Sequence, residues 1–97
     1  MKFYRNFNGL AILDFRGASV LQFDLASVRV PFDGADFTGS RLVRLSATAP
    51  LVLRVLKLAD CRGLRSADTG LVEGLEVLDL RGCGLGPEGF KVVRVLV

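Results

Sequence analysis

The apolar positions of this chain fall into a recurring phrase: apolar, two residues, apolar, one residue, apolar. It occurs at Leu10, Leu13 and Phe15, at Phe32, Ala35 and Phe37, at Leu53, Leu56 and Leu58, and at Leu75, Leu78 and Leu80. Successive phrases start 22, 21 and 22 residues apart. Three positions beyond each phrase stands a small residue, Ala18, Ser40, Cys61 or Cys83, and a further apolar residue follows at Val20, Leu42, Leu64 or Leu85. An apolar-x-apolar core predicts a short strand whose alternate side chains point inward. The roughly 16 residues left in each period suffice for a crossover that returns the chain parallel to itself. A fixed period of this length predicts a solenoid, with strands at 10–15, 32–37, 53–58 and 75–80 stacked in register. No single coil can bury its own apolar edge, so about three repeats are the minimum.

The connections carry their own signals. Gly86, Pro87, Glu88 and Gly89 read as a helix start, with proline at the first helical position and an acid favourable to the helix dipole. Phe90, Val93 and Val97 then share one face, which predicts a helix over about 87–96. Ser66 or Asp68 offers a cap for a shorter helix through Gly74, interrupted by Gly70. Val20–Val30 and Leu45–Val52, rich in β-branched residues, Ser and Thr, predict extended or irregular structure. These elements together predict an α/β solenoid in a single domain, 1–97, with residues 1–9 as an N-terminal lid.

The phrases Leu53-Arg-Val-Leu56-Lys-Leu58-Ala-Asp-Cys61 and Leu75-Glu-Val-Leu78-Asp-Leu80-Arg-Gly-Cys83 resemble leucine-rich repeats of the cysteine-containing and ribonuclease-inhibitor-like types. The resemblance covers residues 53–97 well and 10–52 weakly, because Phe32 and Ala35 replace leucines and Pro31 and Pro50 interrupt connections. It implies parallel strands joined by short helices and, at class level, contact with protein partners. The alternative architecture is a pentapeptide-repeat β-helix. Phe15, Val20, Leu25 and Val30 recur every five residues, as do Phe37 with Leu42 and Leu80 with Leu85. Helix content separates the two.

Composition narrows the chemistry. The 97 residues are 51% apolar and 24% charged, which is a folded domain. Histidine is absent, removing the commonest general base and metal ligand. Two cysteines are too few for a disulfide scaffold or a four-ligand zinc site, and fit a reducing, intracellular setting. Cytoplasmic residence is the expectation; the basic start at Lys2, Arg5 and Arg16 leaves a mitochondrial address as the alternative. The apolar run Leu10–Leu13 is far shorter than the roughly 20 residues that span a bilayer, so no membrane insertion is expected. Stacked Cys61 and Cys83 read as reduced core residues, since Ala18 and Ser40 fill the same slot. The glycines from Gly82 to Gly89 lack the Lys-Ser/Thr of a phosphate loop. Asp14, Asp36 and Asp79 lie on different coils with no base or cofactor motif beside them, so neither an enzyme nor a cofactor is expected.

If fourth and sixth repeat positions point inward, three columns line the outer sheet face. They are Ile12, Gly34, Val55 and Val77; Asp14, Asp36, Lys57 and Asp79; and Arg16, Thr38, Ala59 and Arg81. A partly apolar strip beside charges suits a protein contact, while Asp14 with Arg16 and Asp79 with Arg81 also read as solvated neighbours of little energetic weight. No polar C-terminal cap is visible, and 22 residues beyond Leu75 lies Val97. An open apolar end invites cover, so Val93, Leu96 and Val97 are expected to meet another chain in a larger assembly, or a second copy. The expected contact set is therefore Ile12, Asp14, Arg16, Asp36, Val55, Lys57, Val77, Asp79, Arg81, Val93, Leu96 and Val97. The expected role is a non-enzymatic subunit or adaptor. Six basic residues against Asp60 in 41–65 raise RNA contact as the alternative, although no aromatic residue accompanies them.

Overall fold

In the computed structural model, which describes residues 1–85, the sequence period becomes one coil of a solenoid. Strand β1 (Phe3–Arg5) starts the chain and pairs antiparallel with β2 (Ala11–Asp14). Strands β4 (Gly34–Asp36), β7 (Val55–Lys57) and β10 (Val77–Asp79) follow β2 in parallel, so the first sheet runs β1-β2-β4-β7-β10. Ile12 pairs with Gly34, Gly34 with Val55 and Val55 with Val77, the same 22, 21 and 22 offsets as in the sequence. A second sheet stacks β3 (Gln22–Asp24), β5 (Arg44–Ser46) and β8 (Ser66–Asp68). A third is formed by β6 (Leu51–Val52) and β9 (Val72–Glu73).

The molecule is thus a small β-solenoid of about three turns, which overturns the expectation of an α/β fold. Among the described residues the one helical element is a 3-10 turn, Leu25–Ser27, capped by the Asp24 side chain on the Ala26 amide. The segment expected as a helix from 66 or 68 through Gly74 is instead β8 and β9. Its alternation decides the matter: Ala67 and Val72 are buried while Asp68 and Glu73 face out. Each of these strands also finds a parallel partner one coil away, which satisfies its amides and carbonyls between coils rather than within a helix. The helix expected over 87–96 and the contact residues Val93, Leu96 and Val97 lie outside the described residues. This architecture is compatible with the five-residue alternative, since Phe37 and Leu42 are buried and Phe15 and Val20 pack against the core.

Interior side chains form ladders down the stack. Leu13, Ala35, Leu56 and Leu78 make one, and Phe15, Phe37, Leu58 and Leu80 another. Phe15 and Phe37 stack at 5.0 Å and 7° between planes, with Phe23 tilted against both. Each fully buried apolar side chain of this size contributes about 1.5–3 kcal/mol through removal from water.

After β2, β4, β7 and β10 the chain turns sharply at Gly17, Gly39, Asp60 and Gly82 respectively, all at positive φ. Aspartate is among the few non-glycine residues that tolerate this region, which explains how Asp60 replaces a glycine there. One residue later comes the small slot. Here the Cys61 thiol donates to the Phe37 carbonyl of the preceding coil at 2.9 Å and lies 3.5 Å from the Ser40 hydroxyl. Cys61 and Cys83 are both free, and burial pushes the Cys61 thiol pKa up.

Candidate functional site

Three surfaces compete as sites, and the first is the outer face of the first sheet. It is closed at one end. Ile12 and Val55, expected as exposed contact residues, are buried, at 0% and 3% exposure. The reason is Gly34 between them: a Cβ there would lie 2.7 Å from the Val55 Cβ and 2.9 Å from Ile12 Cδ1, so the two neighbours close over a position that has no side chain. Strand β1 adds a cover, because Tyr4 pairs with Ile12 and its hydroxyl donates to Asp36 Oδ2 at 2.6 Å. Asp36, also expected at the surface, is buried and accepts further bonds from the Thr38 amide and hydroxyl. Only Val77 of the apolar column stays open, at 45%.

The charged columns on this face are tied to themselves. Arg16 forks onto both Asp14 carboxylate oxygens at 2.9 Å, and Arg81 does the same to Asp79 at 3.0 and 2.8 Å. In each case the carboxylate also accepts the arginine's own amide, two residues on, which fixes the turn. The Arg16 hydrogen bond holds the Asp14 carboxyl down at about 2, and Arg81 lowers Asp79 likewise. The Arg16 guanidinium sits 4.5 Å above the Tyr4 ring, a cation–π contact. Burial, then the bond to Asp36, pushes the Tyr4 phenol well above its ordinary value. Lys57 lies in the column between Asp36 and Asp79. The sequence shows the Asp-x-Arg spacing, but nothing in the pattern announces that Tyr4 folds across from the chain start.

The second surface is the third face, where the coils return from the second sheet to the first. Val30 and Pro31 in the first coil, Pro50 and Val52 in the second and Leu71 in the third are exposed there, Val52 at 68%. Beside it, Phe3, Tyr4, Arg5, Ala11, Val30 and Pro31 line an open cavity of about 460 Å³. The sequence columns missed this face because its strands are only two residues long and Pro31 denies the first coil a matching strand.

The third surface is the corner between the first and second sheets. The Ser40 hydroxyl meets the Cys61 thiol there, and the Arg65 amide donates to the Val43 carbonyl, so residues 40–43 and 61–65 are consecutive levels of one corner. Arg41 and Arg62 therefore stand on adjacent levels of this corner, as do Arg65 and Arg44, which opens β5 just beyond it and pairs with Ser66; all four are exposed. The same geometry removes Arg54 and Lys57 from that group: Arg54 forms an ion pair with Glu76, and Lys57 belongs to the first sheet. The basic corner therefore holds four of the six basic residues of that segment, all arginines.

Among the described residues no group of three or more Cys, Asp or Glu side chains is placed to hold a metal, and no helix is long and apolar enough to cross a membrane. No family model matches the chain, and neither a curated protein nor a solved structure does.

Proposed function

We propose that the chain is a non-enzymatic interaction module, a subunit or adaptor that contacts a protein partner in a larger assembly. The observation that supports this reading is the third face, where Val30, Val52 and Leu71 stand exposed beside Pro31 and Pro50 on a rigid stack. Contiguous exposed apolar side chains rimmed by polar ones mark contact surfaces. The polar groups of the first sheet, by contrast, are engaged with one another, which leaves them little to offer a substrate.

The test is recovery of the native protein with its stoichiometric partner, followed by mapping. Val52→Asp and Leu71→Asp alter exposed positions, so thermal unfolding should be unchanged while the partner is released. Amide exchange of the native complex should slow across β6 and β9. A partner retained equally by both variants, with no exchange protection on that face, defeats the reading.

A further inference from the structure

Among the described residues the arginines divide into two groups, with exposed Arg29 apart from both. Arg16, Arg54 and Arg81 are each paired with a carboxylate, and Arg5 donates to the Gly9 carbonyl. Arg41, Arg44, Arg62 and Arg65 form neither an ion pair nor a side-chain hydrogen bond. They occupy consecutive levels of one corner, and coils in such a stack are about 4.8 Å apart. Like charges on adjacent coils repel, and among the described residues no carboxylate pairs with them: Asp24, beside Arg44, is held instead by Thr48 and the Ala26 amide. Guanidinium groups present a flat, two-pronged donor array matched to carboxylate or phosphate.

Apolar surface adjoins the charge. Leu21, 58% exposed, and Val43 line a shallow cavity of about 350 Å³ together with Gln22 and Arg44. Arg44 also borders a second cavity of about 240 Å³ with Gln22, Phe23, Asp24 and Ser46. The apolar hollow is thus edged by one of the unpaired arginines, Arg44, with the other three along the same corner. A nucleic-acid strand would satisfy the charge but needs aromatic faces for its bases. The aromatic residue here, Phe23, is turned against Phe15 and Phe37. A phosphate backbone would also leave the Leu21–Val43 hollow facing polar groups.

From this we infer that the Arg41–Arg44–Arg62–Arg65 corner docks an acidic, extended peptide segment of a protein partner, with carboxylates on the arginines and an apolar side chain in the Leu21–Val43 hollow. The assignment rests on the protein-contact reading above and adds the partner's chemistry. It uses a surface separate from the third face, so the two can fail independently.

The experiment is fluorescence polarisation with the full chain and a labelled synthetic peptide of alternating glutamate and leucine. A lysine-for-glutamate peptide, a serine-for-leucine peptide and a single-stranded RNA of equal charge serve as comparators. The acidic peptide should bind the wild-type chain and lose affinity at least about tenfold when all four arginines become alanine. Arg29→Ala, which removes an exposed arginine elsewhere, should change nothing. Binding should weaken as salt shortens the Debye length from about 30 Å to about 8 Å. Leu21→Ser should weaken the leucine peptide and spare the serine peptide. Unchanged thermal unfolding of each variant confirms that the fold survives. No binding to the wild-type chain, equal binding to the quadruple variant, or tighter binding of the RNA than of the peptide each overturns the inference. If peptide binding fails while Val52→Asp still releases the native partner, this inference falls and the protein-contact reading stands. If RNA occupies the corner and no protein copurifies, both fall.

Discussion

The first two coils and the later ones follow one register but are filled differently. At the start, Phe15, Phe23 and Phe37 form a three-ring cluster, and β1 lays Tyr4 across the outer face onto Asp36. From the third coil the equivalent ladder positions hold Leu58 and Leu80, and the outer face ends at exposed Val77. The later half resembles leucine repeats more closely in sequence, yet β2 and β4 pair as regularly as β7 and β10. Register therefore depends on apolar volume at fixed intervals and on turns that reach positive φ, not on leucine itself. What differs is the anchoring. The first half is held on both sides of its sheet, the second mainly from within.

Deleting a ring should expose that difference most. Phe37→Ala removes a fully buried ring that touches both other phenylalanines and should cost about 3–5 kcal/mol in denaturant unfolding. Leu80→Ala, at a partly buried position of the same ladder, should cost clearly less; equal losses would erase the contrast. Next in size, Gly34→Ala forces a methyl group against the Val55 side chain and its carbonyl, at 2.7 and 2.8 Å. It should lose about 1–3 kcal/mol by thermal melting. An unperturbed melting point would mean the Ile12–Val55 closure is loose.

Tyr4→Phe keeps the ring and removes one hydrogen bond, a loss of about 0.5–1.5 kcal/mol. Because the chain has a single tyrosine, alkaline titration followed by phenolate absorbance reads this site directly. The folded phenol holds its proton more tightly than the unfolded one, so its stabilisation is complete below the ordinary value of 10.0. That contribution is lost as pH rises through the higher folded value. Ionisation at the ordinary value would detach the lid from Asp36.

The smallest effect is on the acid side. Asp14, near 3.8 when unfolded, titrates at about 2 in the fold, and Asp24, Glu76 and Asp79 shift in the same direction. The Asp14 contribution is present above pH 3.8 and falls as pH drops toward 2, and those of the other three are lost in the same direction, Glu76 from its ordinary 4.5. Asp14→Asn should flatten the first-coil share of this acid limb in denaturant unfolding, and Asp79→Asn the fourth-coil share. Unaltered limbs in both would show that these exposed arginine clamps carry no net stability.

The residues that were legible in the sequence are those whose role is set by spacing. Leu13, Ala35, Leu56 and Leu78 point inward because a strand alternates and the coil repeats, and the small slot at Ser40 and Cys61 follows from the same count. Crossovers were harder to read. A capping serine or aspartate, a few apolar residues and a glycine at 66–74 satisfy a short helix locally as well as they satisfy β8 and β9. The choice fell to the neighbouring coil, which supplied parallel partners for the backbone.

By itself, then, the sequence determined the period and the inward ladders, because apolar burial and strand geometry act through residue spacing. Tertiary structure alone decided that Tyr4 and Gly34 close the outer sheet face, that the crossovers become strands, and that four arginines from two coils meet at one corner. Those outcomes depend on groups brought together through space from distant positions, and no local pattern encodes such a meeting.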